Sequence, residues 1–191
     1  MLSIATRPDC FSESIYDLLS ECNQIKPVWV ELGLQTIHEK TALKIRRGYP
    51  LSCFEQTVKE LQKRNIPVIV HIILGLPGES TKEVLETIEY LNALGIQGIK
   101  LQLLHILKDT DLAKELPTLS LLSEEEYIAL LLQCIAHLSP DIVIHRLTGD
   151  GPKELLLAPL WSLHKRHVLN RIAHQLKEEQ IYQGMDYQKK K

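Results

Sequence analysis

Two hydrophobic periods alternate along the chain. Short apolar, β-branched runs fall at residues 3–5, 28–32, 67–73, 99–104 and 141–145, and stretches with helical spacing separate them. The strongest run, Pro67-Val68-Ile69-Val70-His71-Ile72-Ile73, is apolar at nearly every position, as in a parallel strand covered on both faces. Between the runs, Ile15, Leu18, Leu19 and Cys22 share a helical face that Ser12 or Ser14 can cap, and residues 38–47 read as a short helix stopped by Gly48 and Pro50. Ser52-Cys53-Phe54-Glu55, Ser80-Thr81-Lys82-Glu83 and Ser123-Glu124-Glu125-Glu126 each read as a capping box, opening helices to about Arg64, Leu94 and Leu138. A long helix over 160–182 and a basic tail, Gln188-Lys189-Lys190-Lys191, complete the pattern.

Repeated βα units with right-handed crossovers build a parallel sheet, so the fold class is α/β. Five units are too few for a closed eight-stranded barrel. Either a small doubly wound sheet or an arc of an incomplete barrel satisfies the pattern.

Composition narrows the setting. With 191 residues, 45% of them hydrophobic and 24% charged, the chain reads as a soluble globular protein. At that length it buries roughly 70% of its extended surface without needing a disulfide or metal. A net charge of -2 excludes a global field for polyanions. No apolar run approaches the ~18 residues of a membrane span, so no membrane partner is expected. The opening MLSIATRPDC lacks the basic n-region of a secretory signal. Cys10, Cys22, Cys53 and Cys134 have no metal-ligand spacing, so the sequence predicts no metal site in this chain and reduced thiols in a cytoplasmic protein.

Ligands of parallel βα folds gather at the carboxyl ends of the strands. Arg7-Pro8-Asp9, Gln35-Thr36, Gly75-Leu76-Pro77-Gly78-Glu79, His105 and His145-Arg146 fall at or just past those ends. Arg7, Asp9, Thr36, Glu79, His105, His145 and Arg146 are therefore candidate cofactor or substrate contacts. The Gly75–Glu79 segment matches neither the phosphate loop nor GxGxxG. It is a tight turn in which Gly75 and Gly78, lacking Cβ, let backbone approach a flat ligand.

Thr6-Arg7-Pro8-Asp9-Cys10, Glu31-Leu32-Gly33-Leu34-Gln35-Thr36 and His71-Ile72-Ile73-Leu74-Gly75-Leu76-Pro77-Gly78-Glu79 follow one another as in radical S-adenosylmethionine (radical SAM) enzymes. The likeness is to the branch with the elongator catalytic subunit and oxygen-independent coproporphyrinogen oxidase. The ending His145-Arg146-Leu147-Thr148-Gly149-Asp150-Gly151 also resembles the YtqA-type group.

The resemblance implies a partial βα barrel, with about its third to sixth strands over 1–118 and a C-terminal α/β extension over 119–191. It implies adenine contact by Gly75, Leu76, Pro77 and Gly78, and contact of Gln35 with the ribose or methionine part. Arg47, with Arg46 as neighbour, aligns with an arginine that pairs the methionine carboxylate, and a guanidinium fork suits that task. His71 aligns with a position facing the ribose.

The implied cofactors are S-adenosylmethionine and, in the full-length enzyme only, a four-iron four-sulfur cluster, because the family's CxxxCxxC loop and Gly-Gly-Glu stretch are absent here. Relatives carry a glutamate where this chain has Ala5. The chain is thus expected to be inactive alone, with no catalytic residue assigned. A basic excess over 145–174, including Lys165, Arg166 and Arg171, fits RNA, and the branch implies tRNA wobble-uridine modification. An open sheet edge at residues 2–5 is expected to favour a homodimer. A non-catalytic nucleotide- or partner-binding module is the alternative, followed by a doubly wound small-molecule enzyme.

Overall fold

The computed structural model describes residues 1–149 and 151–188. Its elements run β1 (Leu2–Thr6), α1 (Glu13–Ile25), β2 (Val28–Gln35), α2 (Glu39–Lys44), α3 (Leu51–Lys63), β3 (Val68–Leu74), α4 (Thr81–Leu94), β4 (Gly98–Leu103), β5 (Ile106–Leu107), α5 (Asp111–Glu115), α6 (Glu124–His137), β6 (Val143–Arg146), β7 (Leu156–Ala158) and α7 (Lys165–Glu178).

Five strands form one sheet in the order β1-β2-β3-β4-β6, every pair parallel. A doubly wound sheet reverses its strand order at a switch point. This one never reverses, so right-handed crossovers lay successive helices on one face and leave the other open. The sheet is an arc of a barrel, and β6 extends it, so part of the C-terminal stretch belongs to the same layer.

Burial follows the two faces. Along β2 the residues alternate buried and half-buried: Val28, Val30, Leu32 and Leu34 pack under the helices, while Trp29, Glu31, Gly33 and Gln35 face the open side. Val68, Val70, Ile72 and Leu74 of β3 and Ile99, Leu101 and Leu103 of β4 join the same core as Phe54, Val58 and Leu61 of α3, Ile88 and Leu91 of α4, and Tyr127 of α6.

Local signals decide most helix ends. The capping boxes at Ser80 and Ser123 are made, and Gly95 (φ 70°) ends α4 in the left-handed region. The expected box at Ser52 is not made. Pro50 is the N-cap of α3, and the first orphan N–H, on Leu51, is satisfied from a distance by Glu39 Oε1 at 2.6 Å. The expected face of α1 is split: Leu19 is buried beside Tyr16, but Ile15 and Leu18 are 39% and 56% exposed, because α1 covers the outermost strand.

The helix expected over 160–182 is shorter. A 3-10 turn spans Leu160–Leu163, His164 (φ −88°, ψ 48°) lies outside the helical region, and α7 begins at Lys165. The antiparallel pair β5–β7 was not foreseen, since two or three residues carry no readable period. Lys189, Lys190 and Lys191 of the basic tail lie outside the described residues.

Candidate functional site: a rim cleft and a polar wall

The strand ends enclose a cleft of about 380 Å³. Arg7 follows β1, Gln35 ends β2, Arg47 and Tyr49 come from the α2–α3 link, and Leu76 and Leu104 follow β3 and β4. α5 contributes Leu112 at the mouth, where Arg46 forms an ion pair with Asp111. The fold therefore gathers Arg7, Gln35, Arg47 and Leu76 from the sequence candidates, around apolar walls of Ile73, Leu76 and Leu104.

Gln35 and Arg46 (φ 55°) are the cleft's two side-chain-bearing residues in the left-handed region, and Gln35 lies at the end of its strand. A register shift between Gly33 and Gln35 ends the ladder, and Gln35 sits at φ 64°, costly for a side chain with a Cβ. Its amide folds back over Gly33, where an added Cβ would lie 2.6 Å from Gln35 Nε2. The Tyr49 hydroxyl donates to the Gly33 carbonyl and lies 3.3 Å from Gln35 Oε1. Burial pushes the Tyr49 phenol up to about 12, which keeps it a donor.

Arg47 is engaged with its own chain. Its side chain is 1% exposed and donates to Tyr49 O (2.9 Å), Thr36 O (2.7 Å), Leu34 O (3.4 Å) and Glu39 Oε1 (2.9 Å). Such a guanidinium holds the backbone after β2 in place and does not present an open fork. Arg7 is likewise clamped by Asp9 at 2.9 and 2.6 Å.

Thr36 and Glu79 lie beneath the rim. Thr36 is fully buried, its hydroxyl accepting from His38 N at 3.0 Å. Among the described residues buried Glu79 Oε1 meets no hydrogen-bond partner, and burial raises the carboxyl above the usual range against the opposing pull of Thr36 and Thr41. Leu76 and Pro77 are buried, whereas Gly75 and Gly78 take φ 82° and 83°, as a tight turn requires.

His105 is clasped by the loop after β6: Cβ atoms on Gly149 and Gly151 would fall 2.7 and 2.9 Å from its ring. Asp150, between them, lies outside the described residues.

His71 does not line the cleft. It stands deeper on the open face, its Nε2 2.8 Å from Glu31 Oε2. Glu31 also accepts from Ser3 Oγ at 2.8 Å and pairs with Lys100. Burial opposes ionisation of Glu31, but the hydrogen bonds from Lys100, Ser3 and His71 outweigh it and hold the carboxyl at about 2. Burial moves His71 the other way, below the ordinary histidine value, against the pull of Glu31.

Glu31 and Lys100 were missed as site residues, although their signal was present. Both are charged residues in apolar runs, on the same alternate positions as His71. His145, expected at a strand end, belongs to β6 itself and meets Trp29 edge-on at 5.2 Å.

On α7, Lys165 and Arg166 are exposed, but Arg171 donates to Glu124 (3.0 Å) and Glu125 (2.9 Å) of α6. That arginine braces two helices.

Among the described residues no group of three or more His, Cys, Asp or Glu could hold a metal ion. The four cysteines are free, and Cys134 is buried, its thiol pushed up to about 12. These thiols do not fit an iron–sulfur cluster, which needs several thiolates converging on one site. No described helix is long and apolar enough to cross a membrane.

The radical SAM superfamily model matches residues 1–91, and the radical SAM C-terminal domain model matches residues 96–178. The chain belongs to the radical SAM superfamily. Enzymes of this superfamily use S-adenosylmethionine and a four-iron four-sulfur cluster. YtqA of Bacillus subtilis (strain 168) is 43% identical over 190 residues, covering 98% of this chain and 59% of YtqA. The chain thus spans little more than half the length of the curated relatives it matches. Among solved structures, the archaeal Methanocaldococcus infernus Elp3 superposes with a TM-score of 0.79 at 17% identity, over 95% of this chain and 42% of Elp3. Coproporphyrinogen III oxidase (HemN) from Escherichia coli, a radical SAM enzyme, gives 0.56 at 16% identity, over 70% of this chain and 31% of HemN. At these identities the likeness is one of fold.

Proposed function

We propose that this radical SAM chain binds S-adenosylmethionine in the rim cleft and serves an enzyme that modifies RNA, the tRNA wobble uridine being the target. The observation that carries the cofactor reading is the cleft itself, where strained Gln35 meets the apolar walls of Ile73, Leu76 and Leu104. Backbone strain at the edge of a cleft is commonly retained for function. The volume suits a nucleoside-sized ligand. In this reading Gln35 and the turn at Gly75, Leu76, Pro77 and Gly78 contact the nucleoside, and Arg47 positions the segment that carries Gln35. S-adenosylmethionine supplies radical chemistry only beside a reduced cluster, and this chain's thiols do not form that centre.

Calorimetry with S-adenosylhomocysteine tests the cleft. The chain binds it, and Gln35→Ala weakens binding by about tenfold, the effect of a lost buried hydrogen bond of ~1.4 kcal/mol. Absence of binding heat overturns the assignment. After reconstitution with iron and sulfide and reduction, the chain alone yields no 5′-deoxyadenosine, and measurable product refutes that part.

The RNA reading draws on exposed Lys165 and Arg166 at the start of α7. Arg166→Glu weakens tRNA binding at low salt, and unchanged affinity removes the argument. Arg171 is unsuitable for that test because of its ion pairs with α6. We also place the protein in the cytoplasm and assign the open edge of β1, where Leu2 is 42% exposed, to pairing with a second copy. A clean monomer in concentrated solution by light scattering overturns the dimer.

A further inference from the structure

The open face of the sheet is rich in donors and poor in acceptors. Among the described residues Glu31 is its one carboxylate, and Ser3, His71 and Lys100 already occupy it. Trp29 Nε1 is buried there with no acceptor among the described residues. A buried donor is costly to leave unsatisfied, so an acceptor bound there is favoured.

His145 lies against that indole ring, and a row of basic groups crosses the same face. The ladder pairs His71 with Lys100 and Lys100 with Arg146, which sets three cationic or titratable residues in a lateral row across β3, β4 and β6. Lys100 is matched by Glu31, whereas Arg146, half-buried, forms no ion pair with a described residue. A register shift between Ile99 and Lys100 leaves His145 unpaired in the ladder, and bulges of this kind re-aim side chains beside binding sites. His145 lies against Trp29 in room that Gly98 provides: a Cβ there would fall 2.6 Å from His145 Nε2. Arg146 is near enough to His71 to disfavour its protonation. It also lines a groove of about 590 Å³ with Thr148 and Lys165, which carries the basic surface from the sheet edge to α7.

We propose that this wall is a second binding site, separate from the rim cleft, that holds a phosphate group on Arg146, His145 and the Trp29 indole N–H. Lys100 and Glu31 act behind it as a positioning pair, fixing His71 and leaving the wall with one excess fixed positive charge. Arginine is the side chain best shaped for a phosphate, since its fork donates two parallel hydrogen bonds. A bound phosphate satisfies the indole, which a purely apolar ligand does not. The site stands on its own geometry. It rests on the radical SAM reading only in that the phosphate is taken to belong to an RNA substrate.

The test titrates the chain with uridine 5′-monophosphate and, separately, with inorganic phosphate and succinate, following the two tryptophan indole N–H resonances by NMR. Trp161, whose Nε1 donates to Leu122 O at 3.2 Å, is the internal control. Both phosphate ligands shift the Trp29 resonance saturably and leave Trp161 in place. Arg146→Gln weakens the effect by about tenfold and Arg146→Lys restores part of it. Arg146 has no ion pair with a described residue to break, so its variants keep the fold, which unchanged Trp161 dispersion verifies. A stationary Trp29 resonance, equal affinity in Arg146→Gln, or an equal response to succinate overturns the proposal. S-adenosylhomocysteine added to the same samples separates the two readings. If it binds while phosphate does not, only the wall proposal fails, and the reverse result sinks only the rim cleft.

Discussion

Under the helices, Val30, Leu32, Val70, Ile72, Ile99 and Leu101 are at most 1% exposed, while Glu31, His71 and Lys100, one step along the same strands, build a charged network on the open face. Both sets lie on the same three strands and differ only in parity. The apolar face must exclude water, so its residue types are interchangeable hydrophobics. The open face carries less of the core and can keep polar groups wherever partners satisfy them. Stability and chemistry are thus divided between alternate residues, and a one-residue slip would exchange them.

The largest expected effect tests the buried face. Leu32→Ala, at a fully buried position, costs about 3 kcal/mol in denaturant melts, and a loss under about 1 kcal/mol breaks the contrast. Next comes Glu31. Its carboxyl is held at about 2 in the folded chain, against an ordinary value of 4.5. The stability it contributes is therefore complete above about pH 4.5 and lost as pH falls toward 2. That loss amounts to about 2 kcal/mol after allowance for the solvent that still reaches the pair. Glu31→Gln flattens this part of the pH profile, and an unchanged acid limb defeats the assignment.

Gln35→Gly sharpens the contrast between stability and function. Removing Cβ at φ 64° gains about 1 kcal/mol of stability while S-adenosylhomocysteine affinity falls. A glycine variant that binds undiminished shows the strain to be idle. Smallest of all, Arg166→Glu at an exposed position of α7 leaves stability within about 0.5 kcal/mol of the parent by the same melts.

Much of this architecture was legible because its causes are local. Ser80 and Ser123 cap the helices that follow them within one turn, and the apolar run before Gly75 becomes β3 as its pattern requires. Ser52 failed as a cap because the competing partner, Glu39, arrives from another helix. The rim candidates were gathered as far as Arg7, Gln35, Arg47 and Leu76, since strand ends in a parallel sheet converge whatever their sequence separation. What stayed hidden was engagement: nothing near Arg47 announces that Leu34, Thr36, Tyr49 and Glu39 absorb its donors, nor that Arg171 turns to Glu124 and Glu125.

The residues by themselves determined the βα alternation, the apolar parity of each strand and the polar residues at the strand ends, because those features depend on neighbours within a turn or a pleat. Tertiary structure alone decided that the strand order runs in one direction, that Glu31 meets His71 and Lys100, 40 and 69 positions away, and that His145 settles over Gly98 against Trp29. Lateral register between parallel strands is set by how the crossover helices pack, and no local pattern encodes it.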